Sequence, residues 1–153
     1  MITGIRLATV DDTRAFGRRL AALLRPGDLV LLTGPLGAGK TALAQGIGAG
    51  LKVRGDVTSP TFVIARLHRG EVPLLHADAY RLGAKPDPRA EIDDLDLDAT
   101  AEDAVTVVEW GEGLVEHLSE AYLQIRIDRL DDDTRIVDLV PHAGDWSARL
   151  ERL

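Results

Sequence analysis

Short apolar runs alternate with helical patterns along the chain, and this alternation predicts its secondary structure. Residues 5–10 alternate weakly between apolar and polar side chains, which indicates an edge strand. Four apolar residues then recur at helical spacing, namely Phe16, Leu20, Leu23 and Leu24. They predict a helix that begins near residues 11–13, whose side chains offer N-cap chemistry, and that ends at Pro26-Gly27.

The remaining apolar runs predict further strands and helices. Strands are expected at residues 28–32, 63–67, 72–77, 105–108, 123–127 and 136–140, with polar turns at 68–71 and 131–133. Helices are expected at residues 41–51, over a short segment that ends near residue 119, and at residues 144–153. Strands that alternate with helices in this way predict an α/β fold.

Residues 34–41 read Gly-Pro-Leu-Gly-Ala-Gly-Lys-Thr and match the complete phosphate-loop pattern G-x-x-x-x-G-K-[ST]. The pattern lies between a predicted buried strand and a predicted helix, which is the setting that phosphate binding requires. Lys40 is expected to reach the β and γ phosphates, and the hydroxyl of Thr41 to bind Mg²⁺. The residues assigned to nucleotide binding here are Gly34, Leu36, Gly37, Ala38, Gly39, Lys40, Thr41 and Ala42. With the element order, the motif predicts a P-loop NTPase-like three-layer sandwich with a mostly parallel central sheet.

Two acidic residues follow predicted strands at the edge where a parallel sheet binds its ligands. Glu109 closes the strand at 105–108, and Asp78 follows the strand at 72–77. We assign Glu109 to the metal, because a phosphate loop needs a carboxylate for its Mg²⁺, and Asp78 to the attacking water. The dense acidic run from Glu91 to Asp103 is instead typical of a solvated face.

Composition limits the classes of function that remain. With 153 residues, of which 45% are hydrophobic, the chain is predicted to form one domain across residues 1–153. Its net charge of −7 argues against broad binding of nucleic acids. The absence of cysteine excludes disulfides and thiolate metal sites, and the four scattered histidines form no zinc pattern. Because no apolar segment is long enough to span a membrane and no leader is present, we expect a cytoplasmic protein.

Four motifs together resemble the TsaE (YjeE) family, and the likeness covers nearly the whole chain. In order, they are residues 37–41 of the phosphate loop, Ser59-Pro60-Thr61-Phe62, the six residues from His76 to Arg81, and Glu109-Trp110-Gly111-Glu112. The resemblance implies the ATPase subunit of the bacterial machinery that makes threonylcarbamoyladenosine (t6A) next to the anticodon of certain tRNAs. It also implies weak hydrolysis of ATP by the subunit alone, stimulation by the partner proteins TsaD and TsaB, and contact with tRNA only through that complex.

The resemblance also implies roles for particular residues. Lys40 and Asp78 correspond to positions needed for activity, and Thr41 and Glu109 correspond to the ligands of Mg²⁺. Residues 59–62, which are Ser59, Pro60, Thr61 and Phe62, correspond to a loop that changes conformation like a switch and senses a partner.

Further positions are assigned to the nucleotide by the same resemblance. Trp110 corresponds to a tryptophan beside the nucleotide, and a tryptophan that packs on the edge of the sheet is the alternative. Thr13 and Arg135 correspond to positions near the base. Ala42 stands where the family usually has a second threonine, so only its backbone N–H is left to serve the α-phosphate.

Other classes of protein share parts of this pattern. A small-molecule kinase has the same loop but needs an arginine-bearing lid, and Arg81 and Arg89 flank a segment that would imitate one. A GTPase needs an Asn-Lys-x-Asp element, whereas this chain contains no asparagine. A partner-binding protein with a purely structural nucleotide has the same signature as a slow ATPase. The kinase and the structural nucleotide-binding protein therefore stay open as alternatives.

Overall fold

The structure is a computed structural model that describes residues 1–35, 37–55, 57, 65–78, 103–109 and 120–153. Its strands are β1 (Ile2–Leu7), β2 (Leu29–Thr33), β3 (Ala65–His68), β4 (Leu74–Asp78), β5 (Val105–Glu109), β6 (Tyr122–Arg129) and β7 (Arg135–His142). Its helices are α1 (Val10–Ala21), α2 (Lys40–Gly50) and α3 (Trp146–Leu150). The short helix predicted to end near residue 119 lies outside the described residues.

The strands form one seven-stranded sheet in the order β1-β7-β6-β2-β5-β4-β3. The four central strands β6, β2, β5 and β4 are parallel to one another, which confirms the predicted α/β fold with its parallel centre. The outer pairs β1–β7, β7–β6 and β4–β3 are antiparallel. Two of these pairs, β3–β4 and β6–β7, are hairpins in which a short turn joins consecutive strands. A short turn can join only antiparallel neighbours. Both hairpins were predicted from the polar turns at 68–71 and 131–133.

Strand β2 lies in the middle of the sheet and is buried along all five residues. Val30 and Leu32 belong to the large hydrophobic core that also contains the apolar side chains of α1 and α2. Leu31 alternates to the opposite face of the sheet, where it is also buried. Burial on both faces explains why this strand is a continuous apolar run rather than an alternating one.

Helix α1 begins earlier than its predicted caps, because Thr9 is the N-cap residue. The Thr9 hydroxyl accepts a hydrogen bond from the backbone N–H of Asp12, and the Asp12 carboxylate accepts one from the Thr9 N–H. This reciprocal capping box stops the preceding strand at Leu7, so the prediction of a strand up to Val10 was wrong. Thr13 lies inside the first turn of the helix rather than at its cap.

Helices α1 and α2 approach each other closely through glycine. A Cβ built on Gly46 would lie 2.1 Å from the carbonyl oxygen of Arg14, and one built on Gly17 would lie 2.6 Å from the carbonyl oxygen of Leu43. Because Arg14 faces Gly46 while Ala21 faces Gly50, the two helices run in the same direction. The first turn of α1 therefore lies toward the end of α2 that follows the phosphate loop.

We expect Gly46→Ala to destabilise the protein, although alanine is the better helix former. Propensity alone would stabilise the helix by about 1 kcal/mol, whereas a methyl group forced against backbone costs roughly 1–3 kcal/mol or more. Chemical denaturation measures the net change. Ala49→Gly at an exposed position of the same helix is the control, because it reports the propensity term without the helix contact. A Gly46→Ala variant more stable than the wild type would contradict the close contact.

The C-terminal helix α3 is anchored beneath β2 by one arginine. Arg149 donates hydrogen bonds to both carboxylate oxygens of Asp28, at 2.6 Å and 2.9 Å, and to the carbonyl oxygen of Leu23. Its guanidinium also lies 3.8 Å from the ring centre of Trp146. The hydrogen bonds to Asp28 raise the pKa of Arg149, so the guanidinium stays charged although it is nearly buried. This ion pair lies at the start of β2, at the opposite end of the strand from the phosphate loop.

Candidate nucleotide-binding site

The phosphate loop leaves the carboxyl end of β2 and meets the first turn of α2 at Lys40. Gly34 lets the start of the loop lie close to β6. A Cβ built on it would lie 2.1 Å from the carbonyl oxygen of Ile127. Its φ of 148° is also one that residues with a side chain rarely adopt. Glycine is therefore required where the loop turns away from the sheet.

The N-terminus of α2 has the chemistry of an anion site. Its N-cap residue is Gly39, which is in the left-handed conformation and makes no side-chain hydrogen bond to the helix. The first N–H groups of a helix have no partner within it, and the helix dipole places partial positive charge at the same end. A phosphate group fits this arrangement because it can accept from several N–H groups at once.

Lys40 points back into the loop that precedes it. Its side-chain ammonium donates hydrogen bonds to the carbonyl oxygens of Gly34 at 2.7 Å and of Pro35 at 2.9 Å, and the residue is only 5% exposed. The loop thus curves around the ammonium and holds it close to the N-terminus of α2. A cation in this position complements the negative charge of a polyphosphate.

Glu109 lies at the carboxyl end of β5 and is buried. Its Oε2 is 2.5 Å from Nε2 of His76, which is fully buried in the neighbouring strand β4. An ionised carboxylate can only accept hydrogen bonds, so the imidazole N–H is the donor when Glu109 is charged. The contact fixes the direction of the carboxylate and uses one of its two oxygens. Carboxylate and hydroxyl oxygens are the ligands that Mg²⁺ prefers, so Glu109 and Thr41 have the chemistry that the predicted metal requires.

The strand register brings the predicted acids to the same edge as the phosphate loop. Glu109 pairs with Leu32, two residues before Gly34, and also with Asp78 on its other side. Because β2, β5 and β4 are parallel, their carboxyl ends meet at one edge of the sheet. Asp78 and Glu109 are therefore neighbours in register beside the loop, as their positions after the two predicted strands indicated.

His68 and His76 lie on the β3–β4 hairpin, with His68 opposite Leu74 at the amino end of β4. Burial lowers the pKa of His68, and the positive charges that His76 and Arg66 can carry lower it further. His68 is therefore neutral near pH 7. Among the described residues, neither Nε2 of His68 nor Nδ1 of His76 has a hydrogen-bond partner.

Arg135 and Thr13 are placed differently relative to the loop. Arg135 is 8% exposed, and its Nε would lie 3.2 Å from a Cβ built on Gly39, so its side chain packs against the end of the loop. Within the described residues this Nε–H has no acceptor. Thr13 is buried, and its hydroxyl donates to the carbonyl oxygen of Thr9 at 3.3 Å. It lies toward the same end of α2 as the loop, but its hydroxyl is already used within α1.

Several predicted site residues lie outside the described part of the chain. These are Leu36 of the phosphate loop, the switch-like loop Ser59 to Phe62, and Trp110. The remaining loop residues Gly37, Ala38, Thr41 and Ala42 lie where the motif predicts them, at the junction of loop and helix. Their roles and those of Asp78, Glu109, Thr13 and Arg135 stay predictions.

His76 is part of one of the four motifs in the sequence, but no role was predicted for it. The signal was its spacing, since His76 lies in the strand predicted at 72–77, two residues before Asp78, and residues two apart in a strand share a face. The sequence does not show that β4 lies beside β5, which is what brings His76 to Glu109. Arg129 was missed altogether, although its Nη1 would lie 3.8 Å from a Cβ built on Gly37.

No group of three or more His, Asp and Glu side chains in the described residues is arranged to hold a metal ion. The Mg²⁺ predicted here needs fewer protein ligands, because phosphate oxygens and water complete its shell. None of the described helices is long and apolar enough to cross a membrane.

Comparisons with known proteins show which family this chain resembles. The family model described as "Threonylcarbamoyl adenosine biosynthesis protein TsaE" matches residues 7–137. The tRNA threonylcarbamoyladenosine biosynthesis protein TsaE of Streptomyces coelicolor is 60% identical over 124 residues, which cover 79% of this chain and 82% of that protein. The protein of the same name from Bacillus subtilis is 39% identical over 150 residues, covering 97% and 91%.

A solved structure supports the same assignment at the level of the fold. The crystal structure of Bacillus subtilis YdiB matches with a TM-score of 0.79 and 30% sequence identity, covering 99% of this chain and 95% of that one. Sequence similarity and fold similarity therefore both support the family that the four motifs indicated. The chain belongs to the TsaE family of proteins that act in threonylcarbamoyladenosine biosynthesis.

Proposed function

We propose that the protein is a Mg²⁺-dependent ATPase that works with TsaD and TsaB in forming t6A next to the anticodon of tRNA. The observation that carries this proposal is the arrangement at one sheet edge: a phosphate loop curved around Lys40, with Glu109 on the adjacent strand. The relatives' names supply the tRNA modification, and the family resemblance supplies the two partners. We place the reaction in the cytoplasm, where tRNA is modified in bacteria.

Each residue has a defined part in the proposed hydrolysis of ATP. Lys40 and the N–H groups at the start of α2 bind the phosphates and stabilise the charge that develops on them. Thr41 and Glu109 would hold Mg²⁺, which when bound neutralises charge on the β and γ phosphates. Asp78, the registered neighbour of Glu109, would orient the water that attacks the γ-phosphate and take up its proton. Residues Ser59 to Phe62 would couple the state of the nucleotide to the partners.

Slow hydrolysis by the isolated chain is what the family resemblance implies. We therefore propose that the isolated chain binds ATP more readily than it cleaves it, and that docking of TsaD and TsaB completes the catalytic arrangement. By linkage, the partners would then change the affinity for the nucleotide by the same factor by which the nucleotide changes theirs.

The test is phosphate release by the purified chain alone, with TsaD, with TsaB, and with both. We expect slow release alone and a rise of about 10-fold or more only with both partners, because a correctly positioned general base contributes roughly 100-fold or more to a rate. Formation of t6A, measured by mass spectrometry of digested tRNA, should require this protein and ATP in the same mixture. Fast hydrolysis without partners, or transfer of phosphate to a small metabolite, would contradict the proposal and favour a kinase.

A further inference from the structure

The turn between β6 and β7 places two arginines against the phosphate loop. Nη1 of Arg129 would lie 3.8 Å from a Cβ built on Gly37, and Nε of Arg135 would lie 3.2 Å from one built on Gly39. Arg129 is the residue at the end of β6, two positions after Ile127, whose carbonyl oxygen lies against Gly34. The end of β6 therefore lies against Gly34 and near Gly37 of the phosphate loop.

Asp133 in the turn holds both of these side chains. Its carboxylate Oδ1 accepts from Nε of Arg129 at 2.8 Å and lies 2.6 Å from Nη2 of the same guanidinium. Its carbonyl oxygen accepts from Nη1 of Arg135. Asp133 has a φ of 68°, a left-handed conformation that Asp and Asn tolerate better than other residues with side chains. The turn geometry thus directs the Asp133 side chain and carbonyl to two different arginines.

The contacts with Asp133 leave one nitrogen of the Arg129 guanidinium, Nη1, facing the loop. The carboxylate occupies the edge formed by Nε and Nη2, whereas Nη1 is the nitrogen nearest Gly37. Within the described residues, no acceptor is bound to Nη1. The side chain is half exposed, so the guanidinium is fixed in direction but open to a ligand. An arginine held by a carboxylate on one edge presents its remaining donors in a fixed geometry.

We propose that Arg129 binds the phosphate chain of the nucleotide through Nη1 and that Asp133 is the residue that positions it. The inference rests on the proposed function, because it takes nucleotide binding at the loop as given. A phosphate is the chemical class that fits a guanidinium beside an anion-binding loop, since both recognise the same negatively charged oxygens. Arg129 thereby adds a cation from β6 on the side of the loop opposite Glu109.

The first measurement is the affinity of the purified protein for Mg-ATP and Mg-ADP by calorimetry. We expect Arg129→Ala to weaken both by about 10-fold, the lower end of what a hydrogen bond to a charged group contributes, because the site is half exposed. It should also flatten the dependence of affinity on salt concentration, whereas Arg129→Lys should lie between the two. Arg126→Ala removes the same charge from the same strand at an exposed position and should leave both affinities near the wild-type values.

The second measurement tests the positioning by Asp133. Asn keeps the left-handed turn, so Asp133→Asn should leave the melting temperature nearly unchanged and weaken binding about 3-fold by losing a charged hydrogen bond. The same change made in the Arg129→Ala background should have no further effect, because Asp133 acts through Arg129. Asp131→Asn removes an equal charge from the same turn and serves as the control.

The outcomes separate this inference from the proposed function. One outcome is that the wild type binds nucleotide while Arg129→Ala and Arg126→Ala bind it with the same affinity as each other. That result would overturn the role of Arg129 and leave the proposed function intact. An effect of Asp133→Asn that persists in the Arg129→Ala background would overturn the positioning role. If the wild type binds neither nucleotide, the proposed function fails and this inference fails with it.

Discussion

Replacing Lys40 by alanine is expected to abolish productive binding of Mg-ATP, with an affinity or turnover at least about 100-fold below the wild type. The ammonium lies inside the phosphate loop and is held there by the carbonyl oxygens of Gly34 and Pro35. Removal of one fixed donor to a developing phosphate or oxyanion charge costs roughly 3–4 kcal/mol in comparable sites. Isothermal calorimetry and single-turnover hydrolysis in the presence of TsaD and TsaB measure the two losses separately.

The buried position of Lys40 calls for a second variant. Lys40→Ala removes both the ammonium and the apolar stem, so part of its effect would come from a loosened loop. Lys40→Met keeps a stem of similar length without the charge, and we expect it to lose ATP binding to the same extent while melting close to the wild type. Lys52→Ala, at an exposed lysine that pairs only loosely with Glu71, is the control for a lost surface charge. Normal affinity and turnover in Lys40→Met would rule out the phosphate role.

The phosphate loop was predictable because its information is local. Eight consecutive residues specify glycine where the backbone needs it, and the structure places Gly34 against Ile127 and Gly39 at the helix N-cap. The strand and helix on either side were predictable for the same reason, since a buried parallel strand is a short apolar run and the helix follows directly. Thr9 was missed as the N-cap because three neighbouring residues offered the same chemistry, and only the backbone decides among them.

The contacts that surround the loop depend on strand order, which no local pattern contains. His76 is 33 residues from Glu109 and meets it only because β4 and β5 pair with His76 opposite Val107. Arg129 and Arg135 reach the loop because β6 pairs with β2 on the side away from β5. The sequence therefore predicted which acidic residues lie at the carboxyl ends of the strands beside the loop. It did not predict the residues that orient them from neighbouring strands.

The surroundings of Glu109 suggest why a histidine is buried at this position. A carboxylate that binds a metal is held in direction by hydrogen bonds from residues around it, and loss of such a partner commonly weakens metal affinity. His76 is fully buried and contacts Glu109 directly, so it has the position of such a partner. In the proposed metal site, the carboxylate would be fixed before the nucleotide and its Mg²⁺ bind, which would lower the entropic cost of binding.

Substitution of the two acids at the sheet edge, Glu109 and Asp78, should change two different properties of the ATPase. Glu109→Gln keeps the size of the side chain and a hydrogen-bonding group for His76, but it removes the charge assigned to Mg²⁺. We expect the Mg²⁺ concentration for half-maximal hydrolysis in the assembled complex to rise by about 10-fold or more, since even residues around a metal's ligands change its affinity by roughly 10- to 100-fold. Asp78→Asn should leave this concentration unchanged and instead slow single-turnover cleavage by about 100-fold or more, as expected for loss of a general base.

The comparison of the two variants also controls for damage to the fold. Asp78 and Glu109 are neighbours in register, so a general disturbance of this edge would change both measurements in both variants. Binding of ATP without Mg²⁺, measured with a chelator present, should be unaffected by Glu109→Gln if the carboxylate acts through the metal. Glu120→Gln at an exposed position supplies the matched loss of one negative charge. A normal Mg²⁺ requirement in Glu109→Gln would remove this residue from the metal site, and normal cleavage by Asp78→Asn in the complex would remove Asp78 from catalysis.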